Sequence, residues 1–580
     1  MKRILVLQLF RFGDILQTTP ALSALRRAHP DAEISVLVRR RFAEAVRGNP
    51  DVDDVIQWNP GPEYDRLIAG ARINARAAGA LRAFLSPLRA ARFDLVCNFS
   101  NDLPSALITY LLRGKQVMGL AFCRDRTYRV RNNWMRYLFV TNEARRLNSV
   151  NLADCLSMAC AGVPAGRPVL AIAPRDRGAA DVLLRESFED LSRPIVAIQA
   201  GASKDYKRWP AENFAALGAR LIAEGCDVLL LGSKEEQSRN GGILSRMPGS
   251  RGHAADAAGK TSFAELGAVL ERCRLLVSND TATIHAAAAV GCTSLTLAFG
   301  PTGAFETAPL GEGNLVLTPA ADCYPCDWNG LCPDVPCRDR LTPDMVYAAA
   351  TCALNDGVVP EGPARSSGVV LYRTKSMPDG LLGLRPLNRP PLSLKEALRL
   401  AYRAYTLRHW TGLEPSVSRS ELPAWIGDAL ENYACEDPHA LQEALRAAVG
   451  DFRTLAELAR LGMRAADVFV TARVGSGNPS HERLVAALGR LEERIHAFEN
   501  SPVAGVLAAA FRHNIRDMDP APLRQQAVAH RWNYFNLANG CDRMAGSLER
   551  LSAALAPPEA APFPSAGAAL AGSPKAMGDS

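Results

Sequence analysis

The segment RILVLQLFRFGDILQTTPAL (residues 3–22) decides the fold. An apolar run over residues 4–9 is interrupted by Arg11-Phe12-Gly13-Asp14, and helical periodicity follows over residues 17–29. A continuous apolar run that is followed directly by a helix is typical of a parallel strand whose sheet is covered on both faces. The Asp14 carboxylate suits either a helix cap or a catalytic base at the carboxyl end of a strand, and capping is the commoner role.

The same alternation of short apolar runs and helical periods continues in two blocks. The first covers residues 1–180 with the strands RILVLQLF, AEISVLVR, DLVCNFS and QVMGLAF, and the second covers residues 190–357 with PIVAIQA, DVLLLGS, RLLVSND and SLTLAFG. Two such blocks in series predict two doubly wound, Rossmann-like α/β domains that face each other. Ligands of such sheets bind at the carboxyl ends of the strands, so we expect a site in the crevice between the domains.

The remaining chain differs in composition. Residues 358–391 are rich in Pro, Gly and Ser and predict a linker, whereas residues 392–556 show helical spacing throughout and predict an all-α accessory domain. Residues 557–580 are of low complexity and predict a disordered tail. The helical domain leaves a protein partner open, and we expect its aromatic residues to form a core: Tyr402, Tyr405, Trp410, Trp425, Trp532, Tyr534 and Phe535.

The composition narrows the function. With 580 residues, 48% hydrophobic residues and a net charge of +7, the chain is a folding, mildly basic protein, and nothing in it favours a nucleic-acid partner. No window is long and apolar enough to predict a transmembrane segment, and the start does not resemble a secretion signal. Most of the 14 cysteines stand alone in apolar runs, which suits reduced thiols. We expect a cytoplasmic protein, with peripheral association at an acidic membrane face also open.

Three further motifs follow predicted strands. QAGASKDYKRWP (residues 199–210) supplies the hydroxyl of Ser203 and the cation of Lys207, which suits a phosphate. SNDTATIHAAAAVG (residues 278–291) places Asp280 and Thr281 at a helix start, an anion-binding position, with His285 one turn further along the same face. LLLGSKEE (residues 229–236) ends another strand with acidic residues that suit ribose hydroxyls. Taken singly, a polar loop or a capped helix explains each motif equally well.

Two other motifs suggest metal ions. Cys323, Cys326, Cys332 and Cys337 are close enough in sequence to form a structural zinc site, but free thiols are an equal alternative, and disulfides or a redox role stay open. Asp51-Val52-Asp53 formally matches the Asp-x-Asp motif of metal-dependent transferases. It follows Asn49-Pro50, however, and therefore predicts a turn.

In combination these segments resemble glycosyltransferase family 9, the ADP-heptose:lipopolysaccharide heptosyltransferases. The resemblance rests on FGDILQTTPALSALRRAHPDAEISVLV, NPDVDDVI, the loop ending in KRWP, and SNDTATIHAAAAVGCTSLTLAFGPT, and it covers residues 1 to about 356. It implies a GT-B fold and an inverting, metal-independent transfer from a nucleotide sugar. The helical region resembles no family that we recognise.

Carried over position by position, the resemblance implies a role for each motif residue. Asp14 matches the general base, and Glu235 (or its neighbour Glu236) matches the acidic ribose contact. The positions matching the diphosphate and nucleotide-sugar contacts are Ser203, Lys207, Asp280, Thr281 and His285. Ala282 and Ala202 depart from the family's usual glycine and second hydroxyl, and these departures bear on the identity of the donor.

The sequence therefore predicts an inverting glycosyltransferase. Its donor would be an ADP-heptose or similar sugar, it would need no cofactor, and its acceptor would be the lipopolysaccharide core or a related glycolipid at the inner membrane face. Two alternatives stay open. The helical domain could recruit a protein or another glycan as acceptor, or the chain could be a non-catalytic GT-B scaffold.

Overall fold

The computed structural model describes residues 1–59, 75–125, 127–326, 332, 335–355, 368–409, 424–471, 479–519 and 523–556. These residues form two α/β domains and a C-terminal helical region. The predicted tail, residues 557–580, and Trp410 lie outside the described residues.

The first domain is built on a six-stranded sheet in the order β3-β2-β1-β4-β5-β6. All neighbouring strands are parallel except β5 and β6. The strands are β1 (Arg3–Gln8), β2 (Glu33–Arg39), β3 (Asp54–Trp58), β4 (Leu95–Asn98), β5 (Gln116–Phe122) and β6 (Tyr128–Arg131). The helices are α1 (Phe12–Ala28), α2 (Ala75–Ala90), α3 (Leu103–Leu112), α4 (Asn133–Glu143) and α5 (Leu152–Ala161).

The second domain is built on an eight-stranded sheet in the order β14-β13-β12-β11-β10-β7-β8-β9. Its strands are β7 (Ile195–Gln199), β8 (Asp227–Leu231), β9 (Ala254–Asp256), β10 (Leu275–Asn279), β11 (Ser294–Leu297), β12 (Leu315–Pro319), β13 (Val369–Ser376) and β14 (Leu382–Pro386). Its helices are α6 (Pro174–Ser187), α7 (Ala211–Ala223), α8 (Gln237–Leu244), α9 (Phe263–Leu270), α10 (Ala282–Val290), α11 (Ala304–Thr307) and α12 (Pro343–Leu354). The side chains of β7, β8 and β10 are buried along their whole length, as a sheet covered on both faces requires.

Two predicted boundaries need correction. The segment predicted as a linker, residues 358–391, contains the hairpin β13–β14, and β13 pairs antiparallel with β12. Pro378 and Gly380 lie in the turn of this hairpin, and residues 358–367 lie outside the described residues. Helix α6 crosses the predicted limit of the first domain at residue 180, and it packs against α9 of the second domain, with an Arg177–Glu271 ion pair of 2.8 Å.

The C-terminal region is helical, as predicted. Its helices are α13 (Leu394–His409), α14 (Ala424–Asn432), α15 (Pro438–Thr471), α16 (Pro479–His496), α17 (Gly505–Arg516) and α18 (Leu523–Ala554). The long helices α15 and α18 pack along each other, and Tyr402, Phe452 and Tyr534 are buried in the shared core. The expectation of a buried aromatic set fails for Trp532 and Phe535, which are 59% and 39% exposed and stack on each other at the surface.

The helical region contacts both α/β domains. On the first domain, Arg136 of α4 binds Asp517 at 3.0 Å and Arg131 binds Asp519 at 2.7 Å. On the second, Arg403 of α13 binds Asp379 in the β13–β14 turn at 2.9 Å. No described helix is both long and apolar enough to cross a membrane.

Candidate functional site

The candidate site lies where the N-termini of α1 and α10 meet across the two domains. Each helix follows the carboxyl end of a central strand, β1 or β10. Gly13 makes the close approach possible, because a Cβ at this position would lie 3.2 Å from His285 Cδ2 and 3.4 Å from Ala282 Cα. Phe12 also stacks on Phe263 of the second domain, with 4.4 Å between the ring centroids. This stacking adds a second contact between the two domains next to Gly13. The topology therefore gathers the two predicted motifs at one point.

Asp14 is the third residue of α1, and its Oδ2 accepts a hydrogen bond of 3.1 Å from the backbone N–H of Arg11. The carboxylate thus has a capping role. Burial raises the pKa of Asp14 above its usual value, the contact with Arg11 opposes the rise, and the nearby charge of Asp280 adds to it. A carboxylate with a raised pKa is a stronger base, so capping and proton transfer are compatible at this position.

Asp280 and Lys207 form an ion pair on the second domain's side of the crevice. Lys207 Nζ lies 2.8 Å from Asp280 Oδ2, and the Thr307 hydroxyl donates to Asp280 Oδ1 at 3.3 Å. Burial by itself raises the pKa of Asp280, but the charge and hydrogen bond of Lys207 outweigh it and lower the pKa below the usual value. The pair thus keeps Asp280 ionised and holds the Lys207 ammonium at the mouth of the crevice.

His285 lies one turn into α10 and is buried. Burial lowers its pKa to about 4, although the charge of Asp280 acts in the opposite direction. The imidazole is therefore neutral at pH 7 and can donate or accept a hydrogen bond without adding charge. Thr281 precedes α10, and its hydroxyl lies 3.1 Å from that of Ser278.

The loop that bears Lys207 is positioned by Asn279. The Asn279 side chain accepts from the backbone N–H of Trp209 at 3.0 Å and donates to the carbonyl oxygens of Ala200 and Gly201 at 3.0 and 3.2 Å. These bonds join the end of β10 to both ends of the loop. The predicted site residue Ser203 lies on this loop but is exposed, and it makes no contact with the Lys207–Asp280 pair among the described residues.

The structure distinguishes the two candidate acidic residues after β8. Glu236 Oε2 accepts hydrogen bonds from the Ser233 N–H at 2.8 Å and from Gln199 Nε2 at 3.2 Å. Its carboxylate occupies the space that a Cβ on Gly201 would take, between the ends of β7 and β8. Glu235 is exposed. The geometry therefore favours Glu236 over Glu235 as the acidic residue that faces the crevice.

Sequence reasoning missed a second buried pair, Arg145 and Glu306. Arg145 lies in a short 3₁₀ segment of the first domain, and its guanidinium binds Glu306 of α11 at 2.6 Å. Burial raises the pKa of Glu306; Arg145 opposes the rise, and the charges of Asp280 and Asp14 add to it. The position of Glu306 shortly after β11 was a usable signal, since it lies at the same sheet edge as Asp280. Nothing in the sequence marked Arg145.

The two motifs that suggested metal ions have different outcomes. Asp51–Asp53 forms the predicted turn: the Asp51 N–H donates to Asn49 Oδ1 at 2.9 Å, and Asp53 binds Arg26 at 2.6 Å. The cysteines at 323, 326, 332 and 337 border one small cavity with Tyr206 and Gly300, and all four are free thiols. Among the described residues no group of three or more His, Cys, Asp or Glu side chains is arranged to hold a metal ion. The structural zinc site stays a prediction.

Two facing Rossmann-like domains with charged side chains at their strand ends have the architecture of the GT-B fold. A crystal structure of a glycosyl transferase family 9 protein from Veillonella parvula shares this fold, with a TM-score of 0.51 and 20% identity, over 61% of this chain and 98% of that one.

Sequence comparison finds similarity to one glycosyltransferase family. Residues 81–329 match the model of glycosyltransferase family 9 (heptosyltransferase). Lipopolysaccharide heptosyltransferase 3 of Escherichia coli is 24% identical over 61% of this chain and 98% of its own length. Lipopolysaccharide heptosyltransferase 1 of Pseudomonas aeruginosa is 28% identical over 56% of this chain and 86% of its own. The α/β part of the chain is thus similar to glycosyltransferase family 9, and the family match ends before the helical region.

Proposed function

We propose that the protein is an inverting glycosyltransferase that transfers a heptose or similar sugar from an ADP-linked donor to the lipopolysaccharide core. The observation that carries the proposal is the position of Asp14 on one side of the crevice, opposite the Lys207–Asp280 pair on the other. Its relatives named as lipopolysaccharide heptosyltransferases support the class of donor and acceptor. The reaction would take place in the cytoplasm, at the inner membrane face where such an acceptor is presented.

In the proposed reaction, an acceptor hydroxyl attacks the anomeric carbon of the donor sugar. The new C–O bond forms as the bond to the diphosphate breaks, and the electron pair leaves on the diphosphate oxygen. The hydroxyl proton passes to Asp14, whose raised pKa suits a general base. The attack comes from the face opposite the leaving group, so the configuration at the anomeric carbon is inverted.

The leaving diphosphate would be stabilised by groups of the second domain. Lys207 supplies a cation that is held by its ion pair with Asp280. The backbone N–H groups at the start of α10, directly after Asp280 and Thr281, would face the same diphosphate. Neutral His285 adds a hydrogen bond without charge, and Ser203, on the loop that bears Lys207, is proposed as a further contact of the diphosphate. Glu236, facing Gly201, is proposed as the contact of the ribose hydroxyls.

The test is the Asp14→Asn variant. Asn keeps the size of the side chain and an oxygen that accepts from Arg11, but it cannot take a proton. We expect kcat to fall by about 10²- to 10⁴-fold, while the affinity for ADP, measured by titration calorimetry, changes by less than about twofold. Normal turnover of the variant would reduce Asp14 to a helix cap, and loss of ADP binding would place it in the nucleotide site.

A further inference from the structure

The short helix α11 lies between the candidate site and the helical region. It consists of Ala304–Thr307 and follows β11, the strand next to β10, which leads to Asp280. A helix of this length makes a single turn, and an isolated turn is not stable in water. The position of α11 therefore depends on its surroundings, and each of its four residues contacts a different neighbour.

Two of these contacts fix α11 within the second domain. The Thr307 hydroxyl donates to Asp280 Oδ1 at 3.3 Å, and Asp280 in turn pairs with Lys207 at 2.8 Å. At the other end of the helix, the backbone N–H of Ala304 donates to the Tyr324 hydroxyl at 3.1 Å. A displacement of α11 would therefore move a hydrogen-bond donor of the carboxylate that holds the Lys207 ammonium.

The third contact comes from the first domain. Arg145 binds Glu306 at 2.6 Å. Directly after α11, the carbonyl oxygen of Ala308 accepts a hydrogen bond of 2.9 Å from the side-chain amide of Asn151. Both contacts cross from one α/β domain to the other, so they fix the C-terminal half of α11 relative to the first domain.

The fourth contact comes from the helical region. The guanidinium carbon of Arg399, in α13, lies 3.6 Å from the centroid of the Phe305 ring, well within the range of a cation–π contact. Arg399 is buried and is itself held in place. Its Nε donates to Glu396 at 3.0 Å, and its Nη2 donates to the Tyr433 hydroxyl at 2.9 Å. A guanidinium fixed in this way is a rigid support for the ring that lies against it.

We propose that Arg399 is a positioning residue for the transfer reaction: it holds Phe305 and with it α11, and α11 holds the Asp280–Lys207 pair in place for the diphosphate. The proposal rests on the transferase function proposed above. It assigns the helical region a role in the reaction that does not require it to touch either substrate. Because the family match ends before this region, the support from Arg399 is an addition to the two α/β domains.

The test is a double-mutant cycle on the full-length protein, with the affinity for ADP measured by titration calorimetry. Phe305→Leu removes the ring that Arg399 contacts, and Lys207→Gln removes the cation whose position depends on α11. We expect Phe305→Leu to weaken ADP binding at least about fivefold when Lys207 is present. In the Lys207→Gln background the loss should be less than about twofold, because the interaction through which Phe305 acts is already absent.

Two further variants separate positioning from general packing. Phe305→Tyr keeps a ring at Arg399 and should bind ADP within about twofold of the wild type. Tyr347→Leu is the matched control and should leave ADP affinity unchanged, since it removes a ring of α12 that lies 3.8 Å from Arg220, outside the candidate site. If Phe305→Leu does not fold, Arg399→Lys replaces it in the cycle, because lysine keeps the charge next to Glu396 but not the planar guanidinium.

Three results overturn the proposal: unchanged ADP affinity in Phe305→Leu, the same loss of affinity with and without Lys207, or an equal loss in Tyr347→Leu. The proposed function is tested separately, by transfer from ADP-heptose to a deacylated lipopolysaccharide core oligosaccharide. If the wild type transfers nothing to this acceptor, that function fails, while the cycle on ADP affinity still decides whether Arg399 positions Lys207.

Discussion

At the scale of the residue, the geometry of Asp14 explains how one carboxylate can cap the N-terminus of a helix and also act as a base. The backbone N–H of Arg11 donates a hydrogen bond to Asp14 Oδ2. Burial of the carboxyl group removes water from around it and raises its pKa. As the proposed general base, Asp14 would be active only when ionised, so its raised pKa would move the acid limb of the rate profile to higher pH. The same shift means that the ionised carboxylate is less favourable in the folded protein than in the unfolded chain.

The first residue-scale prediction concerns pH. We expect kcat/KM to fall tenfold per pH unit on the acid side, with a midpoint above the ordinary value of 3.8 for Asp. Because the folded pKa is raised, Asp14 contributes stability below its unfolded pKa, and this contribution is lost as pH rises through the folded value. Asp14→Asn should therefore raise the Tm at pH 7.5 by about 1–3 °C while transfer is lost. A lowered Tm at pH 7.5, with an acid limb at or below 3.8, would contradict this electrostatic account.

The second residue-scale prediction separates the two acidic residues after β8. Glu236 lies against Gly201 and is held by Ser233 and Gln199, whereas Glu235 is exposed. We expect Glu236→Gln to weaken ADP binding by about 5- to 50-fold, since one charge-assisted hydrogen bond to a ribose hydroxyl is worth about 1.5–3 kcal/mol and the amide keeps part of it. Glu235→Gln is the matched control and should leave calorimetric affinity unchanged. The reverse result would restore Glu235 as the ribose contact.

At the scale of the element, the approach of α1 to α10 determines the width of the crevice. Gly13 and Ala282 are the contact points, and a Cβ at Gly13 would meet both His285 and the α10 backbone. Small residues are needed here because the two helices meet at their N-termini, and each has a carboxylate of the candidate site, Asp14 or Asp280, within one residue or two of the contact.

The element-scale prediction is the effect of Gly13→Ala. Alanine favours the helix by about 0.5–1 kcal/mol over glycine, but the added methyl group must displace α10 or the His285 ring. We expect kcat to fall at least about tenfold, since misplacement of reacting groups by a fraction of an ångström to 1 Å is costly. The control is Gly79→Ala in α2, where a Cβ meets nothing within 4 Å. It should keep full activity and gain slightly in Tm; equal activity in both variants would contradict the role of Gly13.

Some of these elements could be predicted from the sequence and others could not. The strand ends that bear Asp14, Lys207 and Asp280 were predictable, because buried parallel strands are short apolar runs and their carboxyl ends share an edge. The roles of these residues remain predictions. The hairpin β13–β14 was missed because antiparallel edge strands rich in turn residues have the composition of a linker. Arg145 was missed because its partner, Glu306, is 161 positions away in the chain and only the tertiary fold brings the two together.

At the scale of the whole molecule, the helical region connects the two α/β domains. Asp517 is buried and accepts from Arg136 Nε at 3.0 Å and from the Val130 N–H at 3.1 Å, both in the first domain. Arg403 binds Asp379 of the second domain, with its Nε at 2.9 Å, and also donates to the carbonyl oxygen of Ser149 in the first. Opening or closing of the crevice must therefore move or break contacts of the helical region, so we expect the three parts to unfold cooperatively.

Asp517→Ala tests this coupling. The variant leaves Arg136 and the Val130 N–H without their partner, a loss of about 2–4 kcal/mol at the contact between the first domain and α17. In scanning calorimetry we expect one transition for the wild type, and for the variant a lower Tm or two separated transitions as the helical region uncouples. Asp542→Ala removes the exposed Arg460–Asp542 pair within the helical region and should shift the Tm by less than 1 °C. If both variants unfold as the wild type does, the contact at Asp517 does not couple the helical region to the first domain.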